Sequence, residues 1–139
     1  MAVRILIVDD HEIVRQGIRS ILQARPQWEI CGEGADGYEA VNLAKELQPD
    51  IIILDVTMPV MGGLAAASQI LQANRDARVL IFTMHESMTL SKLVQKSGAQ
   101  GLVVKSQASK NLIHALEKVL AGETFFPPLR GERLAQEVY

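Results

Sequence analysis

Four large apolar residues in unbroken succession, Ile51-Ile52-Ile53-Leu54, run straight into a carboxylate, Asp55. Pro49-Asp50 before them and Pro59 and Gly62-Gly63 after them break the chain, which gives the run the length of a strand and not of a helix. A strand that is apolar at consecutive positions has both faces buried, the condition of an interior strand in a parallel sheet. The carboxylate then falls at the carboxyl edge of the sheet, where open α/β folds hold their ligands. Asp55 is therefore the candidate reactive centre.

The rest of the chain supplies neighbours for that strand. Residues 3–8 form a β-rich run that stops at Asp9-Asp10, and Ile13, Val14, Gly17, Ile18, Ile21 and Leu22 then mark one stripe of a helix. Residues 28–33 mix polar and apolar positions as an edge strand does, and Asp36-Gly37 opens a helix through Val41, Ala44 and Leu47. After Gly62-Gly63, alanine-rich residues 64–73 predict a helix that lies close on the sheet. Residues 79–82 are a second buried run, ended by Thr83. A weaker helix over 86–96 stops at Gly98, a helix C-cap. Residues 102–104 are the last strand, ended by Lys105, and Leu112, Ile113, Leu116, Val119 and Leu120 mark a final helix closing at Gly122. Five strands alternating with five helices predict an α/β doubly wound parallel sheet with right-handed crossovers.

A chain of 139 residues suits one domain. Its 48% hydrophobic and 22% charged residues are those of an ordinary globule, which argues against disorder and against a disulfide scaffold. Cys31 is the only cysteine, so no internal bridge can form and a reducing, cytoplasmic setting is expected; a small hydrophobe is its simplest role. No apolar run is long enough for a signal peptide or a membrane span. The formal net charge is −2 and the basic residues are scattered, so the chain itself carries no footprint for DNA.

Four strand ends carry chemistry: Asp9-Asp10, Asp55, Thr83 and Lys105. Any one alone reads as a helix cap or a solvated loop residue. Together they are another matter, because the strand ends of one sheet converge in space. If the first strand neighbours that of Asp55, about 4.8 Å separates them and three carboxylates share a crevice. Their repulsion raises a carboxylate pKa unless a divalent cation keeps them ionised, and oxygen donors of this kind suit Mg²⁺. Thr83 is short and near, whereas Lys105, about 10 Å away, has the long arm needed to return to the centre. A carboxylate facing a cation, a hydroxyl and an ammonium is equipped to accept a phosphoryl group, and the absence of an evident general base suits a group that is held for some time.

Read together, Asp9-Asp10, Asp55-Val56-Thr57-Met58-Pro59 with Gly62-Gly63, Thr83 and Lys105 resemble, in order and spacing, the receiver domain of bacterial two-component response regulators. The resemblance implies a flavodoxin-like five-stranded sheet of order 2-1-3-4-5. It implies Asp55 as phosphoacceptor, served by a sensor histidine kinase or a small phosphodonor, in a protein that assists its own phosphorylation and dephosphorylation without being an enzyme in the ordinary sense. Mg²⁺ would be ligated by Asp10, Asp55 and the backbone carbonyl of Thr57, with Asp9 acting mainly through metal-bound water. Thr83 and Lys105 would each take a phosphoryl oxygen. Residues 1–122 would be the receiver, and 123–139 a linker or terminal helix leading to an output domain absent from this chain. The texture of that tail looks like the subfamily of LuxR, NarL and FixJ type, whose receivers precede a helix-turn-helix domain. DNA would thus be met only through that domain, with homodimerisation on phosphorylation and no membrane partner.

Three positions depart from the family pattern. Leu102 stands where many relatives carry a Tyr or Phe that swings with the threonine, Ser106 stands where many have a proline after a cis peptide bond, and Met84 is bulky beside Thr83. Signal output would then run through backbone and apolar repacking. The alternative is a stand-alone or phosphorylation-independent interaction module. A Mg²⁺-dependent phosphatase is disfavoured because position 57 is threonine and not a second carboxylate, and a flavin carrier because Asp-Asp-His would repel phosphate. His11 is expected to face solvent, His85 either overhangs the site or is plainly exposed, and His114 lies on the surface of the last helix.

Overall fold

The computed structural model describes residues 2–127. Strands and helices alternate: β1 (Val3–Val8), α1 (Glu12–Leu22), β2 (Trp28–Gly34), α2 (Gly37–Leu47), β3 (Ile51–Asp55), α3 (Gly63–Ala73), β4 (Val79–Thr83), α4 (Met88–Ser97), β5 (Gly101–Val104) and α5 (Ala108–Leu120), with a 3-10 turn at Lys105–Gln107. The strands form one parallel sheet in the order β2-β1-β3-β4-β5, the flavodoxin-like arrangement expected.

Every residue of β3 and of β4 is buried. Alternation along the strands divides the core in two. Ile5, Ile7, Ile51, Ile53, Leu80, Phe82 and Val103 pack with Ile18 and Leu22 of α1 and with Leu112, Leu116 and Val119 of α5. Leu6, Val8, Ile52, Leu54, Val79, Ile81 and Leu102 pack on the other face with Ala40 of α2, Ala66, Ala67 and Ile70 of α3 and Val94 of α4. Burying a Leu or Ile side chain stabilises the fold by about 1.5–3 kcal/mol, so these interleaved strands hold the molecule together. β2 lies at the edge, which is why its sequence tolerates polar positions.

Several boundaries differ from expectation. α4 starts at Met88 and not at Glu86, because the Ser87 side chain accepts the Leu90 N–H and fixes the N-cap there. α5 begins at Ala108, ahead of its apolar stripe, because the 3-10 turn after Lys105 feeds directly into it. The Lys105-Ser106 peptide is trans. Beyond α5 the chain turns at Gly122 and returns to the sheet, where Phe125 pairs with Gly101 in an isolated parallel bridge: the Leu102 N–H donates to Phe125 O (2.8 Å), and the Phe125 N–H to Gln100 O (2.9 Å). Of the linker or terminal helix expected over residues 123–139, residues 128–139 lie outside the described residues.

Candidate functional site

Register places the site. Val8 of β1 pairs with Leu54 of β3, so one step further along both strands brings Asp9 abreast of Asp55. Close packing fixes the same spot from the other side: a Cβ on Gly63 would lie 1.9 Å from Asp55 O, so only glycine allows the first turn of α3 to approach this peptide. The Gly63 N–H donates to Val56 O at 2.8 Å.

Lys105 reaches the centre from the far end of β5, its Nζ 2.8 Å from Asp9 Oδ2 and 3.1 Å from Asp55 Oδ1. The contact with Asp9 is an ion pair by distance and not an aligned hydrogen bond, so Asp9 Oδ2, on a side chain only 1% exposed, lacks a hydrogen-bond donor. Burial first, and the Asp9 carboxylate second, hold Asp55 above the usual carboxylate range against the pull of Lys105. Burial alone would lower Lys105, but its pairing with the Asp9 and Asp55 carboxylates outweighs that, and its pKa is raised.

Asp10 stands at the mouth, partly open to solvent. Asp9, Asp10, His11 and Asp55 each present a ligand atom, all within 4.8 Å of one another. The donors are oxygens and one imidazole, and three carboxylates stand against one ammonium, so the crevice retains an excess of negative charge that a divalent cation suits.

Thr83 ends β4 with its side chain buried, and its hydroxyl donates to His85 O at 3.2 Å. Thr57 follows β3 in an exposed bend. The next turn is tight: the Met61 N–H donates to Pro59 O at 2.7 Å around Val60, which has φ 69° and is 84% exposed. Met84 also points outward. Leu102 is wholly buried against the face that α4 covers.

Two features were not apparent from the sequence. His11 is exposed as a residue, yet its Nδ1 turns inward, 3.2 Å from Asp9 Oδ1 and 3.1 Å from Asp10 Oδ1. Arg15 is mostly buried: its guanidinium donates to the Asp9 carbonyl (2.5 Å) and to Glu33 of β2 (3.0 Å) and pairs with Glu12, holding the Asp9-Asp10 peptide in place. The only signal for Arg15 was a charged residue beside the apolar stripe of α1, and such residues are usually solvated.

The family described as response regulator receiver domain matches residues 5–117. The transcriptional regulatory protein DegU of Brevibacillus brevis is 33% identical over 97% of this chain, which spans 57% of that protein's length. Among solved structures, a two-component response regulator of the LuxR family from Aurantimonas sp. SI85-9A1 is 38% identical with a TM-score of 0.89, each chain fully covered. The response regulator domain of Thermotoga maritima CheB is 25% identical with a TM-score of 0.81, over 87% of this chain and 98% of that one.

Proposed function

This chain belongs to the response regulator receiver family, and from that premise we propose that Asp55 accepts a phosphoryl group from a phosphohistidine on a sensor kinase, or from a small phosphodonor, and so switches a transcription-regulating output domain. The observation that carries this reading is the convergence of Asp9, Asp55 and Lys105, from three strands, within ion-pair distance.

In the reaction an Asp55 carboxylate oxygen attacks phosphorus, the bond from phosphorus to the donor imidazole nitrogen or to acetate oxygen breaks, and the donor leaves with the electron pair. Lys105, already beside Asp55 Oδ1, is the cation that meets a phosphoryl oxygen there. Asp10, Asp55 and the Thr57 carbonyl would hold Mg²⁺, with Asp9 acting mainly through metal-bound water. That ion, when bound, supplies charge neutralisation for the equatorial oxygens. The residues fit such an ion, since buried Asp9 Oδ2 has no hydrogen-bond donor and the carboxylates outnumber the ammonium.

Thr83 exchanges its bond to His85 O for a phosphoryl oxygen, which draws the β4–α4 connection inward. Because position 102 is a buried leucine, there is no aromatic ring there to report the movement, and output passes through the backbone of β5 and its neighbours. Residues 1–122 act as the receiver, and 123–139 lead to the output part. A sensor kinase, DNA contacted through the output domain and a phosphorylation-dependent second copy are the proposed partners. No described helix is long and apolar enough to cross a membrane, in keeping with a cytoplasmic role.

The test is intact mass after incubation with acetyl phosphate and Mg²⁺. Wild-type protein gains one phosphoryl group and Asp55→Asn gains none; an unmodified wild-type mass overturns the reading. The second reading, a phosphorylation-independent interaction module, is motivated by Leu102 and Met84, and that same unmodified mass would support it.

A further inference from the structure

β2 carries one residue more than the strand beside it. β1 pairs Ile5 with Ile30 and then Leu6 with Gly32, so Cys31 is the extra residue of a bulge. The bulge changes which way the following residues face. Ile30 packs on the α1/α5 side of the sheet and Cys31 on the α2 side. Gly32 stays on the α2 side, where a Cβ would lie 2.7 Å from Leu47 Cδ1. Two consecutive positions thus share one face, and Glu33 is returned to the face of α1, whereas strict alternation would have put it under α2.

There Glu33 meets Arg15, whose side chain is only 15% exposed. Each guanidinium nitrogen of Arg15 engages a different segment: Nε donates to Glu33 Oε1 (3.0 Å), Nη1 to the Asp9 carbonyl (2.5 Å), and Nη2 pairs with Glu12. The Asp9 N–H in turn donates to Gly34 O at 3.1 Å. Both sides of the Asp9 backbone are therefore tied to the bulged end of β2, one directly and one through Arg15. Lysine, with a single ammonium on a flexible stem, cannot reproduce that fork.

We propose that Arg15, aimed by the Cys31 bulge through Glu33, is a positioning residue: it sets the Asp9-Asp10 peptide so that the acidic pair binds its divalent cation tightly, and it takes no part in the phosphoryl-transfer step. The inference rests on the reading of Asp10 and Asp55 as Mg²⁺ ligands and deepens it by naming what holds the acidic pair in place. Groups that orient the ligands of a metal site commonly govern its affinity by about 10–100-fold.

The experiment is calorimetric titration of the whole chain with Mg²⁺, beside acetyl phosphate labelling rates across Mg²⁺ concentration. Arg15→Met keeps an apolar stem, and Arg19 still pairs with Glu33 and Glu12, so the fold is expected to survive, which circular dichroism checks. Its Mg²⁺ affinity falls about tenfold, while labelling at saturating Mg²⁺ stays within about twofold of wild type. Arg15→Lys restores the charge without the fork and stays about fivefold weaker than wild type. Glu33→Gln weakens Mg²⁺ binding about threefold on its own and adds nothing to Arg15→Met, because it acts through the arginine. Unchanged Mg²⁺ affinity in folded Arg15→Met, full recovery in Arg15→Lys, or a saturated labelling rate that falls as far as the affinity overturns the proposal and leaves the phosphoacceptor reading standing. So does a Glu33→Gln effect that persists undiminished beside Arg15→Met. Wild type that binds no Mg²⁺ removes the cation reading, and the proposal with it.

Discussion

Lys105 Nζ lies 3.1 Å from Asp55 Oδ1, although β4 stands between their two strands in the sheet. Only a long side chain laid along the carboxyl edge can make that contact, and in doing so it also meets Asp9. The lysine thus holds together two carboxylates that would otherwise repel.

Replacing it leaves those carboxylates buried without their ammonium. For Lys105→Met, unfolding in urea at neutral pH is expected to show a loss of about 3 kcal/mol, the scale on which removing one partner of a buried ion pair acts. Labelling by acetyl phosphate should slow by about two orders of magnitude, since a cation aimed at the developing charge is gone. Unchanged labelling would contradict the role given to Lys105.

Asp55 should make stability depend on pH in a defined direction. Its folded-state pKa stands above the ordinary 3.8, so the folded protein takes up this proton more readily than the unfolded chain does. That favours folding in acid, and the contribution fades as pH climbs from 3.8 through the folded-state value, leaving the ionised carboxylate opposed to folding at neutral pH. Asp55→Asn is therefore expected to be more stable than wild type at neutral pH, with the gap closing toward acid. Lys105, raised above 10.5, acts in the alkaline range: its contribution is complete below that value and is lost as pH rises through the folded-state pKa. Denaturant melts across pH check both, and a gap that does not narrow in acid would refute the account of Asp55.

Phe125 anchors the returning tail. It is half-buried against the α1/α5 face and meets the His114 ring edge-on at 5.7 Å, while its backbone pairs beside Leu102. Phe125→Ala is expected to lower stability by about 2 kcal/mol, part of the figure for a fully buried phenylalanine. Amide hydrogen exchange at Leu102 should quicken because its acceptor is no longer held. Unaltered exchange there would show that the side chain does not secure the bridge.

Val60 adopts φ 69° with its side chain in solvent. The left-handed region costs an L-residue about 1–2 kcal/mol, and glycine's greater chain entropy offsets part of the relief. Val60→Gly is expected to raise stability by about 0.5 to 1 kcal/mol in urea melts. A loss of stability would mean that the valine makes contacts worth more than the strain.

The parts of the fold legible beforehand were those governed by local chemistry. Residues 51–54 and 79–82 had to be interior strands, because only a doubly covered sheet hides so many consecutive branched side chains. The start of α5 leaves no mark in the apolar pattern, because Ala108–Asn111 carry no large apolar residue although they are helical. The start of α4 rested on Ser87, one hydroxyl whose capping bond no periodicity reveals. Phe125 and Phe126 read as a breaker before prolines, and their return to the edge of β5 depended on where that edge lay.

The sequence by itself determined that acidic, hydroxyl and ammonium groups end parallel strands, because strand length and breaker residues are written locally. Only the tertiary structure decided which of them touch: that Lys105 spans Asp9 and Asp55, that Thr83 turns to His85, that His11 faces inward and that Arg15 grips the Asp9 carbonyl. Those choices follow from sheet order, register and rotamer, which are set by packing among residues far apart in the chain and leave no periodic trace within it.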